Sequence, residues 1–220
     1  MVKTQKGEQT RALILETALE LFRERGYDET TMRAIAERAG VALGNAYYYF
    51  GSKEHLVQGF YARVHGEQLA ASRPVLERER GLKARLLGVL DAVLITIEPY
   101  HRFAGTLFKS AADPQSPLNP FSRESEPVRL ESISLFAEVV ENSNVKVPPD
   151  LKAELPYLLW LYHMGIVLFW IHDNSPGQSR TRRLMELTAD LVVKLIKLAS
   201  SPLMLPLRQT TLRLLATLNE

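Results

Sequence analysis

The stretch that decides the fold is TTMRAIAERAGVALGNAYYYFGSK, residues 30–53. Apolar residues recur in its first half at i, i+3, i+4 and i+7, which predicts one buried face of a short helix. These residues are Met32, Ile35, Ala36 and Ala39. Gly40 is expected to end this helix, and a second short helix is predicted from Ala42 to Phe50. The spacing is typical of a helix-turn-helix, whose second helix can enter a DNA major groove.

The second helix has two chemically different faces. At about 100° per residue, Tyr47 and Tyr48 point outward, whereas Ala46 and Phe50 lie on the core side. An aromatic core stripe is the alternative interpretation, but three consecutive tyrosines cannot all face inward on one helix. The outward rings and hydroxyls, with Lys53 nearby, suit contacts to DNA phosphates and base edges. The helix is therefore predicted to bind DNA.

The pattern around this stretch extends from Arg11 to Leu56 at fixed spacings. Its members are Arg11, Ile14, Leu15, Ala18, Leu21, Phe22, Gly26, Tyr27, Thr30, Thr31, Ile35, Ala36, Ala39, Gly40, Val41, Tyr47, Phe50, Ser52, Lys53, Glu54 and Leu56. In these residues the chain resembles the N-terminal DNA-binding domain of TetR-family transcriptional regulators. The resemblance implies a protein that binds operator DNA and forms a dimer through two C-terminal helices.

The same resemblance implies which residues meet DNA. They are Thr31, Arg33, Leu43, Gly44, Asn45, Tyr47, Tyr48, Tyr49 and Lys53. Lys53 is expected to bind a phosphate at the N-terminus of the fourth helix. Two departures from the family pattern stand beside these residues. Ala42 replaces the usual serine cap, a change expected to weaken the recognition helix by about 1 kcal/mol. Asn45-Ala46 replaces a common threonine-leucine pair and leaves the base preference open.

The composition of the chain bears on its cellular compartment and on its binding partners. The 220 residues include no cysteine, which excludes disulfides and thiolate chemistry and fits a reducing cytoplasm. The N-terminus lacks the apolar segment of a signal peptide, so a cytoplasmic location is expected. Residues 1–65 contain nine lysines and arginines against eight acidic residues, so bulk charge does not indicate nucleic-acid binding. The DNA prediction rests on the motif and on the local placement of Lys3, Lys6, Arg11, Arg33 and Lys53.

The remainder of the chain has helical periodicity and no convincing strand, so the predicted fold is all-α. A three-helix head at residues 1–52 is expected to bind DNA, and residues 53–220 are expected to form a larger helical domain for ligand binding and dimerisation. Pro74 is expected to bend or break the helix that begins after Ser52. The other predicted helices span residues 8–25, 82–98, 100–112, 122–141, 150–172, 180–200 and 206–220.

Two C-terminal helices are expected to form the dimer. The most apolar run, Pro156 to Ile171, is shorter than the roughly twenty residues that a bilayer needs, so a buried helix and no membrane contact are predicted. Leucines spaced by three and four along the next helix can pack against a partner helix. They are Leu184, Leu187, Leu191, Leu195 and Leu198. The sequence leaves open which face of each helix meets the partner.

No motif for catalysis is present: the chain lacks HExxH, a Gly-rich phosphate loop and GxSxG. We therefore predict no catalytic residue, metal ion or cofactor, and no enzymatic activity. Aromatic and polar residues in the helical body are candidates for a small-molecule pocket, although ordinary core packing explains most of them equally well. They are Tyr100, His101, Phe103, Phe108, Trp160, His163 and Trp170.

The favoured function is a homodimeric repressor that a small-molecule effector releases from a palindromic operator. Activation of transcription by the same kind of protein is the main alternative. An enzyme with a DNA-binding appendage is less favoured because a catalytic constellation is missing. A helical scaffold or membrane-tethered protein would rest on the apolar helix alone.

Overall fold

The computed structural model describes residues 5–218, which contain ten α-helices and no strand. The helices are α1 Gln5–Arg25, α2 Met32–Arg38, α3 Leu43–Tyr49, α4 Lys53–Arg78, α5 Leu82–Ile97, α6 His101–Ala112, α7 Glu126–Glu141, α8 Pro149–Ile171, α9 Ser179–Ala199 and α10 Leu205–Leu218. Three short 3-10 turns lie between them, at Glu98–Tyr100, Pro176–Gln178 and Pro202–Met204. The predicted all-α class is confirmed, and Lys3 lies outside the described residues.

The structure corrects one part of the prediction at Pro74, the break, while the predicted bend stays a prediction. Helix α4 continues through this residue to Arg78, so the predicted break is absent. A proline inside a helix removes one backbone hydrogen bond, and the remaining bonds can hold the helix together. The last turn is also held from outside, because the Arg85 side chain donates to the carbonyls of Leu76 and Glu79 at 2.5 and 2.8 Å.

The chain forms two compact units. The first unit comprises Met1–Gly66 with Pro99–Arg129, and thus combines the helix-turn-helix region with α6 and the loop that follows it. The Phe22 ring of α1 stacks on the Phe103 ring of α6, with centroids 5.4 Å apart and planes 11° apart. Helix α6 therefore shares a core with the N-terminal helices. The division of roles at residue 52 stays a prediction.

The second unit comprises Glu67–Glu98 with Leu130–Glu220. Helix α9 packs on α5 and on α8, and α10 packs on α8. Helices α4 and α5 approach closely at Gly88. A Cβ atom added to this residue would lie only 2.5 Å from the Cγ2 atom of Val75. Only a residue without a side chain fits this contact. The core of the unit is built mainly from leucine, valine and aromatic side chains, with members on α5, α7, α8 and α9.

The turn between α8 and α9 is held by one buried carboxylate. Asp173 is 3% exposed and accepts hydrogen bonds from the backbone N–H and hydroxyl groups of Ser175 and Thr181, at 2.7 to 2.9 Å. Burial alone would raise the pKa of Asp173, but these four hydrogen bonds outweigh it and hold the pKa well below its ordinary value. The carboxylate therefore fixes the start of α9 beside the end of α8.

Helix α8 is the one helix among residues 5–218 that is long and apolar enough to cross a membrane. It has 23 residues, more than the apolar run from Pro156 to Ile171 suggests, because a more polar first turn precedes that run. Part of its surface is buried inside the second unit, including Leu155, Leu159 and Ile166. A core helix of a globular domain has this same composition.

Candidate functional site

The turn between α2 and α3 has the geometry that the sequence predicts. The Thr31 hydroxyl accepts a hydrogen bond from the Ala34 N–H at 3.2 Å and thus caps α2. Gly40 has a φ of 65°, and its N–H donates to the Glu37 carbonyl at 3.2 Å. The Val41 N–H donates to the Ala36 carbonyl at 3.0 Å. This paired termination requires a left-handed residue, which glycine supplies without strain, so α3 begins at a fixed angle to α2.

Helix α3 presents Tyr47 and Tyr48 to solvent as predicted. Ala46 and Phe50 are buried, whereas Tyr48 is 72% exposed and Tyr47 is half-exposed. The ring of Tyr49 is partly buried and meets the Tyr48 ring edge-on, with centroids 5.1 Å apart. The other predicted contact residues lie beside them: Thr31, Arg33, Gly44 and Asn45 are exposed, and Leu43 is partly buried. Ala42 provides no side-chain cap, as expected.

Lys53 lies at the first position of α4, where its side chain folds back on the chain that precedes α2. Its Nζ donates to the backbone carbonyls of Tyr27 and Asp28 at 2.6 and 3.3 Å and lies 4.3 Å from the centre of the Tyr27 ring. The Tyr27 hydroxyl donates to Glu54 at 3.1 Å. Burial, and then the charge of Glu54, raise the pKa of Tyr27, so this phenol stays protonated. The cationic head is thus held against the chain between α1 and α2.

A polar cleft of about 660 Å³ opens beside this contact, within the first unit. Its lining includes the first turn of α4 and the loop after α6, and the Gln58 side chain donates across to the Pro117 carbonyl at 3.2 Å. Residues of both signs line it, among them Glu54, Lys109 and Asp113. None of the seven predicted pocket residues belongs to its lining.

Four of those seven residues, Tyr100, His101, Phe103 and Phe108, belong to the first unit. Phe103 is buried, and Tyr100 meets the Phe60 ring edge-on at 4.7 Å while its hydroxyl accepts from Arg63 at 3.1 Å. His101 and Phe108 are partly buried. These side chains help to join α6 to α1 and α4, and their role towards a ligand stays a prediction.

The other three predicted pocket residues, Trp160, His163 and Trp170, lie on α8 and are buried in the second unit. The Trp160 ring stacks on Tyr157 with centroids 5.7 Å apart, and the His163 ring lies 5.6 Å from that of Phe136. Both tryptophans are almost wholly enclosed. They line the core of this unit, and whether they also meet an effector stays a prediction.

Sequence reasoning missed several buried polar residues of the second unit. Arg85 is 1% exposed and donates to four backbone carbonyls, those of Leu76, Glu79, Glu138 and Val139. Gln68 and Ser72 interrupt the buried face of α4. The available signal was periodicity: each of these polar residues stands at a position where the helical repeat calls for an apolar one.

Helix α9 has two faces. Met185, Ala189 and Val193 point into the second unit and are buried. The opposite face exposes a row of leucines at steps of four, four and three: Leu187, Leu191, Leu195 and Leu198. On the neighbouring α8, Leu168 and Phe169 are also exposed. The four leucines, together with Leu168 and Phe169, are called the exposed leucine face. The structure shows which face of α9 meets its own core, and which face meets a partner stays a prediction. Leu184, also predicted for this seam, is only partly buried.

A helix-turn-helix with an outward tyrosine surface, joined to a larger set of helices, defines the class of DNA-binding regulators with an all-α body. Comparison with known proteins agrees. Residues 14–59 match the family described as bacterial regulatory proteins, tetR family, and residues 85–210 match the tetracyclin repressor-like C-terminal domain. The chain therefore belongs to the TetR family of transcriptional regulators.

The matches to individual relatives cover less of the chain than the two family matches together. It is 37% identical over 89 residues to the regulator SrpR of Pseudomonas putida, which is 40% of this chain and 41% of that protein. It is 33% identical over 100 residues to the repressor KstR2 of Mycobacterium tuberculosis, 46% of this chain and 48% of that protein. The chain thus spans about half the length of these curated relatives.

Solved structures share the fold over most of the chain. A TetR regulator from Nitrosomonas europaea superposes with a TM-score of 0.63 at 17% identity, covering 82% of this chain and 96% of that one. The regulator FadR from Bacillus subtilis, in complex with stearoyl-CoA, gives a TM-score of 0.63 at 15% identity, covering 81% and 96%. At these identities the likeness concerns the fold alone.

Proposed function

We propose that this protein is a transcriptional repressor that binds operator DNA through α3 and leaves it when a small molecule binds. The observation that carries the proposal is the exposed pair Tyr47 and Tyr48 on a short helix whose opposite face, Ala46 and Phe50, is buried. A buried inner face fixes the helix, so the outer face can enter a groove without rearrangement. Membership of the TetR family supports the assignment as a DNA-binding regulator over the assignment as an enzyme. The proposed location of the protein is the cytoplasm.

The contact residues divide by chemistry. Tyr47 and Tyr48 present hydroxyls that can donate to phosphate oxygens, and Asn45 presents an amide that can pair with base edges. Gly44 allows the helix backbone to approach the DNA closely because it has no side chain. Lys53, four residues after the end of α3, supplies a positive charge. Thr31, Arg33, Leu43 and Tyr49 complete the proposed set.

Selection from random DNA duplexes tests this proposal directly. The wild type should enrich a palindromic sequence, and its affinity should fall steeply as salt is added because bound counterions are released. Tyr48→Ala should weaken binding to the selected duplex. Phe121→Ala removes another exposed ring of the first unit, 58% exposed in the loop before α7, and should bind as the wild type does. A wild type without sequence preference would defeat the proposal.

The proposed functional form is a dimer. The exposed leucine face would leave an apolar patch in water if the chain were alone, and such patches mark interaction sites. A second copy presents the same face, so a two-fold axis along α8 and α9 buries both. Two recognition helices could then reach successive major grooves, about 34–36 Å apart. Light scattering of the wild type should give twice the chain mass of 24.9 kDa, and a monomer that binds a palindrome with full affinity would contradict the dimer.

The proposed effector is an apolar or aromatic small molecule. The seven candidate residues are mostly aromatic, as is common in ligand sites. An effector that prefers the folded, DNA-free form should raise the melting temperature and release the protein from its selected duplex. A metabolite screen that gives no thermal shift would argue against it. The sign of regulation has its own test: deleting the gene should raise transcription from the operator, and a fall would identify an activator.

A further inference from the structure

The buried face of α4 contains a side-chain amide nitrogen that no described residue satisfies. Gln68 is 5% exposed, and its side-chain Nε2 has no hydrogen-bond partner among the described residues. The neighbouring buried polar group is satisfied, because the Ser72 hydroxyl donates to the Gln68 backbone carbonyl at 2.8 Å. Buried N–H groups without a partner are costly and rare, so this one calls for an explanation.

Gln68 occupies a position in α4 where an apolar residue is expected. Val64 and Leu76 are buried apolar residues of α4, four residues before Gln68 and four residues after Ser72. Gln68 and Ser72 lie between them at the same spacing. A methionine at residue 68 would have nearly the same length and would fill this position without an unmet donor. The polar group is therefore not needed for packing.

We propose that Gln68 recognises the effector by donating a hydrogen bond from Nε2 to an oxygen acceptor on an otherwise apolar small molecule. The inference rests on the proposed function, and it adds a recognition residue and a ligand chemistry. The acceptor is a carbonyl, carboxylate or similar oxygen, because the unmet group is a donor. The rest of the ligand is apolar, because the second unit that contains Gln68 has a core of aliphatic and aromatic side chains, Phe136, Trp160 and Trp170 among them.

The location on α4 gives the contact a regulatory consequence. Lys53, the proposed phosphate contact, begins the same helix. A ligand that binds Gln68 therefore contacts α4, the same helix that carries the proposed DNA contact Lys53. It shifts the protein away from DNA only if it binds the DNA-free arrangement more tightly.

A ligand-free experiment tests the unmet donor. Gln68→Met removes the amide and keeps the side-chain length, so the melting temperature of the free protein should rise by about 2–4 °C. Ser72→Ala is the matched control, because it removes a buried polar group that already has its partner; its melting temperature should stay the same or fall. A lower melting temperature for Gln68→Met would show that the amide is satisfied in the folded protein, and would overturn the proposal.

Matched probes test the acceptor. Each pair consists of a ketone and the hydrocarbon of nearly the same shape: acetophenone and cumene, 2-acetylnaphthalene and 2-isopropylnaphthalene, 4-acetylbiphenyl and 4-isopropylbiphenyl. Binding is followed by calorimetry and by fluorescence of Trp160 and Trp170. For at least one pair the wild type should bind the ketone about tenfold more tightly, and Gln68→Met should reduce that ratio to about one.

The outcomes separate this inference from the proposed function. A ratio near one in the wild type, a ratio that survives in Gln68→Met, or no binding in any pair overturns the role of Gln68. If the wild type still selects a palindromic duplex, the proposed regulator stands and only this inference fails. A wild type that selects no duplex defeats the regulator instead, whatever the probes show. Gln68→Met should itself select the same duplex as the wild type.

Discussion

The Nζ of Lys53 donates to the backbone carbonyl of Tyr27 at 2.6 Å and lies over the ring of the same residue. The lysine proposed to bind a DNA phosphate is therefore already oriented by the protein. Two of its three N–H donors are directed to carbonyls, those of Tyr27 and Asp28. Less side-chain entropy remains to be lost when a phosphate binds, which favours the complex.

Lys53→Met should therefore have two effects. Binding to the selected duplex should weaken by about tenfold, and the slope of affinity against salt should fall by about one for each protomer, because one phosphate contact is lost. Unfolding should become easier by about 1 kcal/mol, since the hydrogen bonds to the Tyr27 and Asp28 carbonyls disappear. Fluorescence anisotropy over a salt series measures the first effect, and thermal unfolding measures the second. Lys146→Met removes an exposed lysine of the second unit, and an equal loss of DNA affinity there would contradict the role of Lys53.

Leu191→Glu should yield a folded monomer. Leu191 is 54% exposed in the single chain, so a carboxylate there meets water in the monomer but would be buried in the proposed interface. Val193→Glu, two residues away on the buried face, should instead unfold the chain, because it places an unpaired charge in the core. Light scattering with circular dichroism distinguishes the two. If Leu191→Glu remains a dimer, the exposed leucine face is not the interface.

Stability should decrease at acid pH through Asp173. Its folded-state pKa lies below the ordinary value of 3.8, so its contribution is fully present above that value and is lost as the pH falls below it. Asp173→Asn should reduce the unfolding free energy at pH 7 by about 1–3 kcal/mol, and the gap to the wild type should narrow below pH 4. Urea unfolding at a series of pH values measures this. Glu77→Gln, at an exposed site on α4, should show no such gap, and a gap for Asp173→Asn that is independent of pH would contradict the argument.

Gly88→Ala should destabilise the second unit. The added methyl group would lie 2.5 Å from the Cγ2 atom of Val75, closer than packed carbons can approach, so α4 and α5 must separate. The expected cost is about 1–3 kcal/mol. Gly66→Ala, in α4, has nothing within 4 Å of its added methyl group and should stabilise by up to about 1 kcal/mol, since alanine favours a helix. Thermal unfolding at one protomer concentration compares them, and equal effects would refute the close contact.

Arg85→Met should cost about 3–5 kcal/mol of unfolding free energy. The guanidinium donates to carbonyls at the ends of α4 and α7, and methionine removes all of these side-chain hydrogen bonds from a buried site. Arg85→Lys should recover only part of the loss, because an ammonium lacks the planar fork that reaches both helices. Arg80→Met, at an exposed neighbour, should change stability by less than about 0.5 kcal/mol. Urea unfolding measures all three, and a small loss for Arg85→Met would mean that water replaces the guanidinium.

Much of the first unit could be predicted from the sequence because its signals are local. The cap at Thr31, the left-handed Gly40 and the burial of Ala46 and Phe50 depend on residues within a few positions of one another. Helix limits elsewhere were predicted to within a few residues for the same reason: helical hydrogen bonds and apolar periodicity join near neighbours. The residues of an effector pocket are harder to predict from the sequence, because a pocket is formed by side chains far apart in the chain.

By itself, the sequence determined that the chain is all-α, where its recognition helix lies and which of that helix's faces is outward. Only the tertiary structure decided that α9 buries Met185 and Val193 and exposes Leu191. All three residue types are apolar, so the sequence alone does not tell which side of the helix packs against a neighbouring helix. The tertiary structure also decided that Arg85 and Gln68 are buried. Periodicity places a residue on a face, but whether that face is covered, and by which donors and acceptors, depends on helices brought together from distant parts of the chain.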